Sequence, residues 1–434
     1  MASSNDLRWM PLDNAAKIYP AALRSNWSNV FRLSVTLSEP VDVPVLQAAL
    51  DATVPRFPSI ATRLRRGVFW YYLQELERAP EIRPEHSWPL TGMSRQELRR
   101  CAFRVLVYDC RIAVELFHSL TDGNGGLVFL KTLTAEYLTR KYRITIPAEH
   151  GVLNRLEPPF SEELEDSFLK YDAPVNASRK ETTAWRLRGT PEQDGFRHVT
   201  CFQLSVPQIL EQAHSHKVSA TVFLCAVLMK ALLELQAEQI PSRRRRKPIK
   251  VLIPVNLRKL FPSKTLRNFV LYTIPEADPR LGDYSIEELC KLVHHRMGLD
   301  VNAKPLSKMI AVNVNSERYL AVRILPLFVK NWVMKAVFSA VGEKKSCLSM
   351  SNLGAVQLPE AMKPYVRRFD FILGVQATAP YNCGVISWGD TLYVNFIRNI
   401  REPWLEHRFF TVLRELGVEA TVESNGAASA IARM

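Results

Sequence analysis

The 434-residue sequence is poor in cysteine, with seven, and no two of them form a C-x-x-C pair. The number is odd, and most of the seven (Cys101, Cys110, Cys201, Cys225, Cys290, Cys347 and Cys383) fall inside apolar runs. That distribution argues against a secreted disulfide scaffold and against a thiolate zinc site. Negative charge is also short: 43 Asp+Glu face 57 Lys+Arg, a formal net charge of +14. The excess implies attraction to something anionic, whether nucleic acid, a membrane surface or a phosphate-bearing small molecule. The first residues, MASSNDLRW, lack the basic–apolar–small pattern of a signal peptide. A spanning helix needs roughly 20 apolar residues in a row. The least polar long stretch, Tyr319 to Val341, is broken by Arg323, Pro326, Lys330 and Lys335. No solenoid-period repeat and no low-complexity segment is visible. The expectation is a cytoplasmic protein that could still touch a membrane.

What is present points to a folded α/β protein. Hydrophobic residues make up 47% of the chain, enough for a core. The length suits two domains or one two-lobed domain. Residues 30–38 alternate as a strand does, 43–54 carry a helical spacing, and 68–76, 102–108 and 111–118 read as further strands. Residues 126–141 read as a helix after the glycine-containing loop SLTDGNGG, whose glycines would permit sharp turns. From 148 to 194 proline and clustered polar residues predict an unpacked crossover. Beyond it, 198–205, 250–255, 347–351, 385–388 and 391–396 read as strands. Ser219 reads as the N-cap of a helix over 220–235, and 402–416 as a terminal helix.

The sharpest local signal is His118-Ser119-Leu120-Thr121-Asp122-Gly123. A histidine closing an apolar strand can face a cleft while its backbone stays anchored. Its neutral ring can take a proton from a hydroxyl or amine near pH 7. The bland alternative is a surface histidine before an Asp–Gly turn.

HSLTDG resembles the H-x-x-x-D-G signature of the chloramphenicol acetyltransferase-like superfamily of CoA-dependent acyltransferases and condensation domains. Residues 41–64 are similar to its first helix and the R-x-P-x-L/I turn that follows. Residues 219–233 are similar to the helix opening its second lobe. IPVNLRKLFPSKTLRNFV, residues 253–270, places Arg258 and Asn268 on a motif arginine and asparagine. SMSNLGAVQLP and FDFILG, within 349–374, resemble the stretch ending in D-F-G-W-G, although Asp370-Phe371-Ile372-Leu373-Gly374 lacks the tryptophan. The likeness is nearest to the bacterial alcohol acetyltransferase-like group. Phe117 stands where peptide-forming condensation domains usually carry a second histidine, which tilts the reading toward CoA as donor.

The resemblance implies mixed α/β sheets in two related lobes, 1–175 and 176–434, with an active-site tunnel at their interface. It implies His118 as general base, no covalent acyl-enzyme, and acyl-CoA as cosubstrate without any permanently bound cofactor. It pairs Asp122 with Arg258, expected as a bidentate ion pair that fixes the loop. Gly123, Gly126 and Asn268 would support the site. Ser349, Ser351 or Asn352 could donate to an oxyanion, or simply form a strand-end turn. The partners implied are a small-molecule acyl donor and a hydroxyl or amine acceptor, met by a monomer. Two alternatives stay open: a condensation enzyme fed by carrier-protein phosphopantetheine, and a binding protein with a vestigial site.

Other features admit several readings. Arg243, Arg244, Arg245, Arg246 and Lys247 could be a solvated loop, a site for CoA phosphates, or an anionic-lipid or nucleic-acid contact. Nucleic acid is weakest, because no recognition module accompanies the run. Residues 319–341 read as a buried core helix by default. The alternative is a peripheral membrane helix with Arg323, Lys330 and Lys335 toward headgroups. His214, His216, His294 and His295 lack a third ligand in sequence reach, so no metal is expected.

Overall fold

The computed structural model describes residues 8–21, 23, 29–86, 88–171, 183–192, 195–318, 325–340, 344–375 and 379–426. Among these residues the strands form three sheets. In the first, Val30–Leu37 lies between Arg111–Phe117 and Val366–Ile372, antiparallel to both. Phe103–Tyr108 and Arg83–Pro84 extend it on the Arg111–Phe117 side. The alternation read in 30–38 fits an antiparallel sheet, although nearly every residue of Val30–Leu37 is buried. Helices Val43–Thr53 and Gly123–Tyr142 pack together beside it.

The second sheet is mixed. Its order is Val270–Thr273, Ile249–Asn256, Leu348–Ala355, Tyr381–Trp388, Thr391–Arg398, His198–Ser205 and Ala420–Ser424. Leu348–Ala355 runs parallel to both neighbours, and the other pairs are antiparallel. Helix Ala220–Gln239 packs against both Ile286–Asp300 and Trp404–Glu415, and the three share a buried core with this sheet. Ala220–Gln239 is apolar nearly all round and buried, as a core helix should be. By length and composition alone it could also cross a membrane. A small third sheet joins Trp9–Pro11, Tyr71–Glu75 and Thr62–Arg66.

The lobe boundary expected at residues 175 and 176 lies outside the described residues. The two sheets are interlocked all the same. Val366–Ile372 comes from the second half of the chain, yet it completes the first sheet. Its Phe371 carbonyl presses so closely on Gly384 that a Cβ there would overlap it.

Three expectations need correction. The crossover 148–194 is packed in part: Glu163 is buried in a two-point pair with Arg56 (2.5 and 2.8 Å), and Phe168 is buried against Phe269. An enclosed guanidinium requires a carboxylate, and this segment supplies it. The helix after His118 starts at Gly123, not at residue 126, because Asp122 caps it. Finally, the apolar stretch after Arg318 is not a buried core helix. Residues 319–324 and 341, with Arg323, lie outside the described residues. The remainder forms Leu327–Ala340, with Phe328 and Trp332 exposed. Lys330 is turned inward, so it does not face headgroups. A backbone carbonyl and an aromatic face receive its ammonium group there.

Candidate active site

His118 follows the strand Arg111–Phe117 directly, and its backbone N–H donates to the Asn29 carbonyl at 2.8 Å. Tyr19 stacks on the imidazole with ring centroids 4.5 Å apart, and Phe31 meets it edge-on at 5.1 Å. These rings hold its plane, while part of the residue stays open to solvent. Burial pushes its pKa below the ordinary 6.5. The ring is therefore neutral at pH 7, the form a general base needs.

The tautomer follows from the neighbours. His118 Nδ1 lies 3.2 Å from Asn268 Oδ1. Asn268 Nδ2 donates to Asp13 Oδ2 at 3.1 Å and to the His118 carbonyl at 3.0 Å. With its nitrogen committed to two acceptors, the amide turns its oxygen to the ring, and that oxygen can only accept. The proton therefore sits on Nδ1, and Nε2 keeps its lone pair. Asp13 itself is fully buried. Burial pushes its carboxyl up to about 6, against the opposing pull of Arg267.

Asp122 has no capacity left for substrate. Its Oδ1 accepts from the N–H groups of Asn124 and Gly125 at 3.1 and 3.0 Å, capping the helix. Its Oδ2 accepts from Arg258 Nη1 at 2.7 Å and from the Phe269 N–H at 3.0 Å. The pair with Arg258 is single, not bidentate as expected. The other guanidinium nitrogens are drawn to the Thr265 and Arg267 carbonyls at 2.9 and 2.6 Å. One carboxylate thus fastens the start of the helix to the 256–269 segment of the other lobe.

The glycines act through size, not through turn geometry. Gly123, Gly125 and Gly126 are helical, and none has a positive φ. A Cβ on Gly125 would overlap Thr121 Oγ1 and the Leu266 carbonyl. One on Gly126 would come within 2.7 Å of Leu116, and one on Gly123 within 2.9 Å of Leu353.

The structure therefore brings together His118, Asp122, Gly123, Arg258 and Asn268. Leu348–Ala355 reaches the same corner through Leu353. Within it, Asn352 Nδ2 donates to Thr221 Oγ1 at 3.0 Å, so this side chain faces the Ala220–Gln239 helix. Alternation places Ser349 and Ser351 on the opposite face. Ser349 is buried, while Ser351 is partly open. Arg243–Lys247 is not brought to the site. It precedes the strand Ile249–Asn256, about 23 Å long, whose far end leads into Arg258. Arg243 pairs with Asp283 at 2.8 Å, and Arg246 donates to the Ile240 and Pro241 carbonyls. Among the described residues no group of three or more His, Cys, Asp or Glu is placed to hold a metal. Asp13 and Tyr19 carry no sequence signal of their own; only the fold sets Tyr19 against His118 and Asp13 against Asn268.

No protein-family model matches the sequence, and no curated protein matches it significantly. Solved structures do match. The F. graminearum protein TRI101, solved with coenzyme A and deoxynivalenol, aligns over 96% of this chain and 100% of its own, with 10% identity and a TM-score of 0.63. The wax ester synthase/diacylglycerol acyltransferase from Marinobacter aquaeolei VT8 aligns over 94% and 100%, with 14% identity and a TM-score of 0.56. The epimerization domain from the third module of tyrocidine synthetase B aligns over 94% and 95%, with 11% identity and a TM-score of 0.60. The chain has the two-lobed, mixed α/β fold of the chloramphenicol acetyltransferase-like acyltransferases and condensation-type domains.

Proposed function

We propose that the protein is an acyltransferase moving an acyl group from a CoA thioester to an alcohol hydroxyl, or to an amine. The observation that carries this reading is His118, held neutral by burial and partly open, with Nδ1 against Asn268 Oδ1. In the reaction, Nε2 takes the acceptor proton while the acceptor oxygen or nitrogen attacks the thioester carbonyl carbon. The C–S bond then breaks, and the imidazolium returns its proton to the thiolate. Asp122 positions the helix without touching substrate. Ser351, on the face opposite Asn352, is the oxyanion donor in this reading.

No acyl-enzyme is needed. All seven thiols have raised pKa values, with burial as the first cause, so none is an activated nucleophile. In this reading lobes 1–175 and 176–434 enclose a tunnel between them, acyl-CoA is a cosubstrate, and the enzyme acts as a cytoplasmic monomer of the alcohol acetyltransferase type. TRI101 solved with coenzyme A supports a CoA donor. A carrier-bound phosphopantetheine donor stays as the second reading.

The test is thiol release from a panel of acyl-CoAs offered with alcohols and amines. His118→Ala should lower the rate by about 10²–10⁴-fold. Undiminished turnover would sink the mechanism. Release seen only with a loaded carrier protein would favour the second reading.

A further inference from the structure

Two segments far apart in sequence meet, and each presents exposed apolar side chains. The turn joining Thr62–Arg66 to Tyr71–Glu75 presents Val68 and Phe69, which are 72% and 44% exposed. The helix Leu327–Ala340 presents Phe328 and Trp332, one turn apart and 65% and 73% exposed. The two segments are welded together. The Leu327 N–H donates to the Val68 carbonyl at 2.9 Å, Lys330 Nζ to the Phe69 carbonyl at 3.0 Å, and Asn331 Nδ2 to the Tyr71 hydroxyl at 3.0 Å. Lys330 Nζ also sits 3.6 Å from the Trp70 ring centroid. Four large apolar side chains held outward on a braced scaffold are costly to leave in water.

The surroundings are mostly basic. Residues 62–75 contain Arg63, Arg65 and Arg66 against one acidic residue, Glu75. Beside the turn lies a shallow cleft with an apolar floor, including Leu64, Tyr71 and Leu98, and with Arg66, Arg95 and Arg99 in its wall. Among the described residues none of these three arginines has an ion-pair partner. Burial, and then the charges of Arg63 and Arg99, push the Arg65 pKa down. Positive groups are thus crowded here.

We propose that this face docks the protein on an anionic phospholipid bilayer, with Phe69, Phe328 and Trp332 entering the headgroup layer and the arginine cleft receiving a lipid phosphate. Aromatic and aliphatic side chains beside guanidinium groups match such an interface. A second copy of the chain on the same face would set like charges against each other. The face also adjoins the catalytic histidine. Lys17 lies over Trp70 at 5.1 Å, and Tyr19, two residues on, stacks on His118. A lipid acceptor would therefore have a short path to Nε2; that last step alone rests on the acyl-transfer reading.

The experiment is sedimentation of the full chain with vesicles of phosphatidylcholine alone and of phosphatidylcholine mixed with phosphatidylglycerol. Binding should require the anionic lipid. It should weaken about ten-fold or more in Phe69→Ser/Trp332→Ser and, separately, in Arg66→Glu/Arg99→Glu. All four side chains are at the surface, so unchanged melting temperatures will show that the variants fold. Absence of binding, or binding that survives both double variants, overturns the proposal. So does light scattering that finds a dimer broken by Phe69→Ser/Trp332→Ser, since a second copy would then cover the face. No catalytic readout is involved, so docking and acyl transfer can each fail alone.

Discussion

One oxygen of the Asp13 carboxylate accepts both the backbone N–H and the side-chain N–H of Asn268, at 3.3 and 3.1 Å. That fork settles which way the amide faces and, through it, which nitrogen of His118 is protonated. Asp13 is therefore a positioning residue. In Asp13→Ala the amide can turn over, and both imidazole tautomers should be populated. Nitrogen-15 NMR of histidine-labelled protein reads this without any substrate. The turnover number should fall roughly ten- to a hundred-fold, part of the 10²–10⁴ a general base contributes, with little change in KM. A single Nδ1-protonated tautomer retained in the variant would remove Asp13 from this role.

The pH dependence has a defined sign. His118 is depressed below 6.5, so the neutral base should persist at pH 7 and the acid limb of the rate profile should lie below 6.5. Its contribution to stability is present above 6.5 and is lost as pH falls through the folded value. Asp13 is raised from 3.8 to about 6, so its contribution runs the other way, present below 3.8 and lost as pH rises through about 6. Denaturant titrations of wild type and Asp13→Asn should diverge across that window. Wild type should lose stability relative to the variant as pH rises, and parallel curves would contradict the assignment.

Removing Arg258 leaves the buried Asp122 charge without its partner. Arg258→Leu should cost about 3–5 kcal/mol in urea unfolding. It should also loosen the Gly123 end of the helix, visible as faster amide exchange at Asn124 and Gly125. A loss within experimental error would mean that the four N–H and N⁺–H donors around Asp122 are interchangeable.

Gly125→Ala should destabilise by about 1–3 kcal/mol, because the new methyl meets a backbone carbonyl that cannot rotate away. Gly123→Ala should cost less, since it meets only side chains, Leu353 at 2.9 Å and Phe371 at 3.3 Å. Equal losses at the two positions would show that helix propensity or Leu353 packing outweighs the carbonyl clash.

The Arg243–Lys247 run makes local contacts at the far end of its strand. Arg244→Glu/Arg245→Glu should therefore change the CoA-induced stabilisation less than two-fold. That stabilisation itself should approach about 2.7 kcal/mol at a hundred times the Kd. A shift abolished in the variant would return the run to the CoA site.

Local pattern revealed much of this fold, because alternation and capping act over a few residues. His198–Ser205 and the Ser219 cap lie where periodicity places them. The Gly123 start is hidden because the motif points Asp122 to Arg258, while in the structure the same carboxylate also caps the helix. Lys330 misled in a different way. Periodicity assigns a lysine to solvent, and only the Phe69 carbonyl and Trp70 ring explain why it turns inward. Asp13 was invisible because its meaning depends on Asn268, a partner from the other half of the chain. His118, Asp122 and Arg258 were legible because their spacing resembles a known motif. Their geometry, with one single ion pair and a saturated carboxylate, was not.

The exchanged strand Val366–Ile372 sets an order of events during synthesis. Until residue 372 has left the ribosome, Val30–Leu37 has no partner on that side, and its backbone N–H and C=O groups form a raw β edge. The nascent chain must carry that edge through the making of most of the second lobe. An isolated first lobe would carry it permanently and should pair with itself or with other chains. The two lobes are thus bound to a common fate: the sheet that carries His118 cannot be finished before residue 372 has been made.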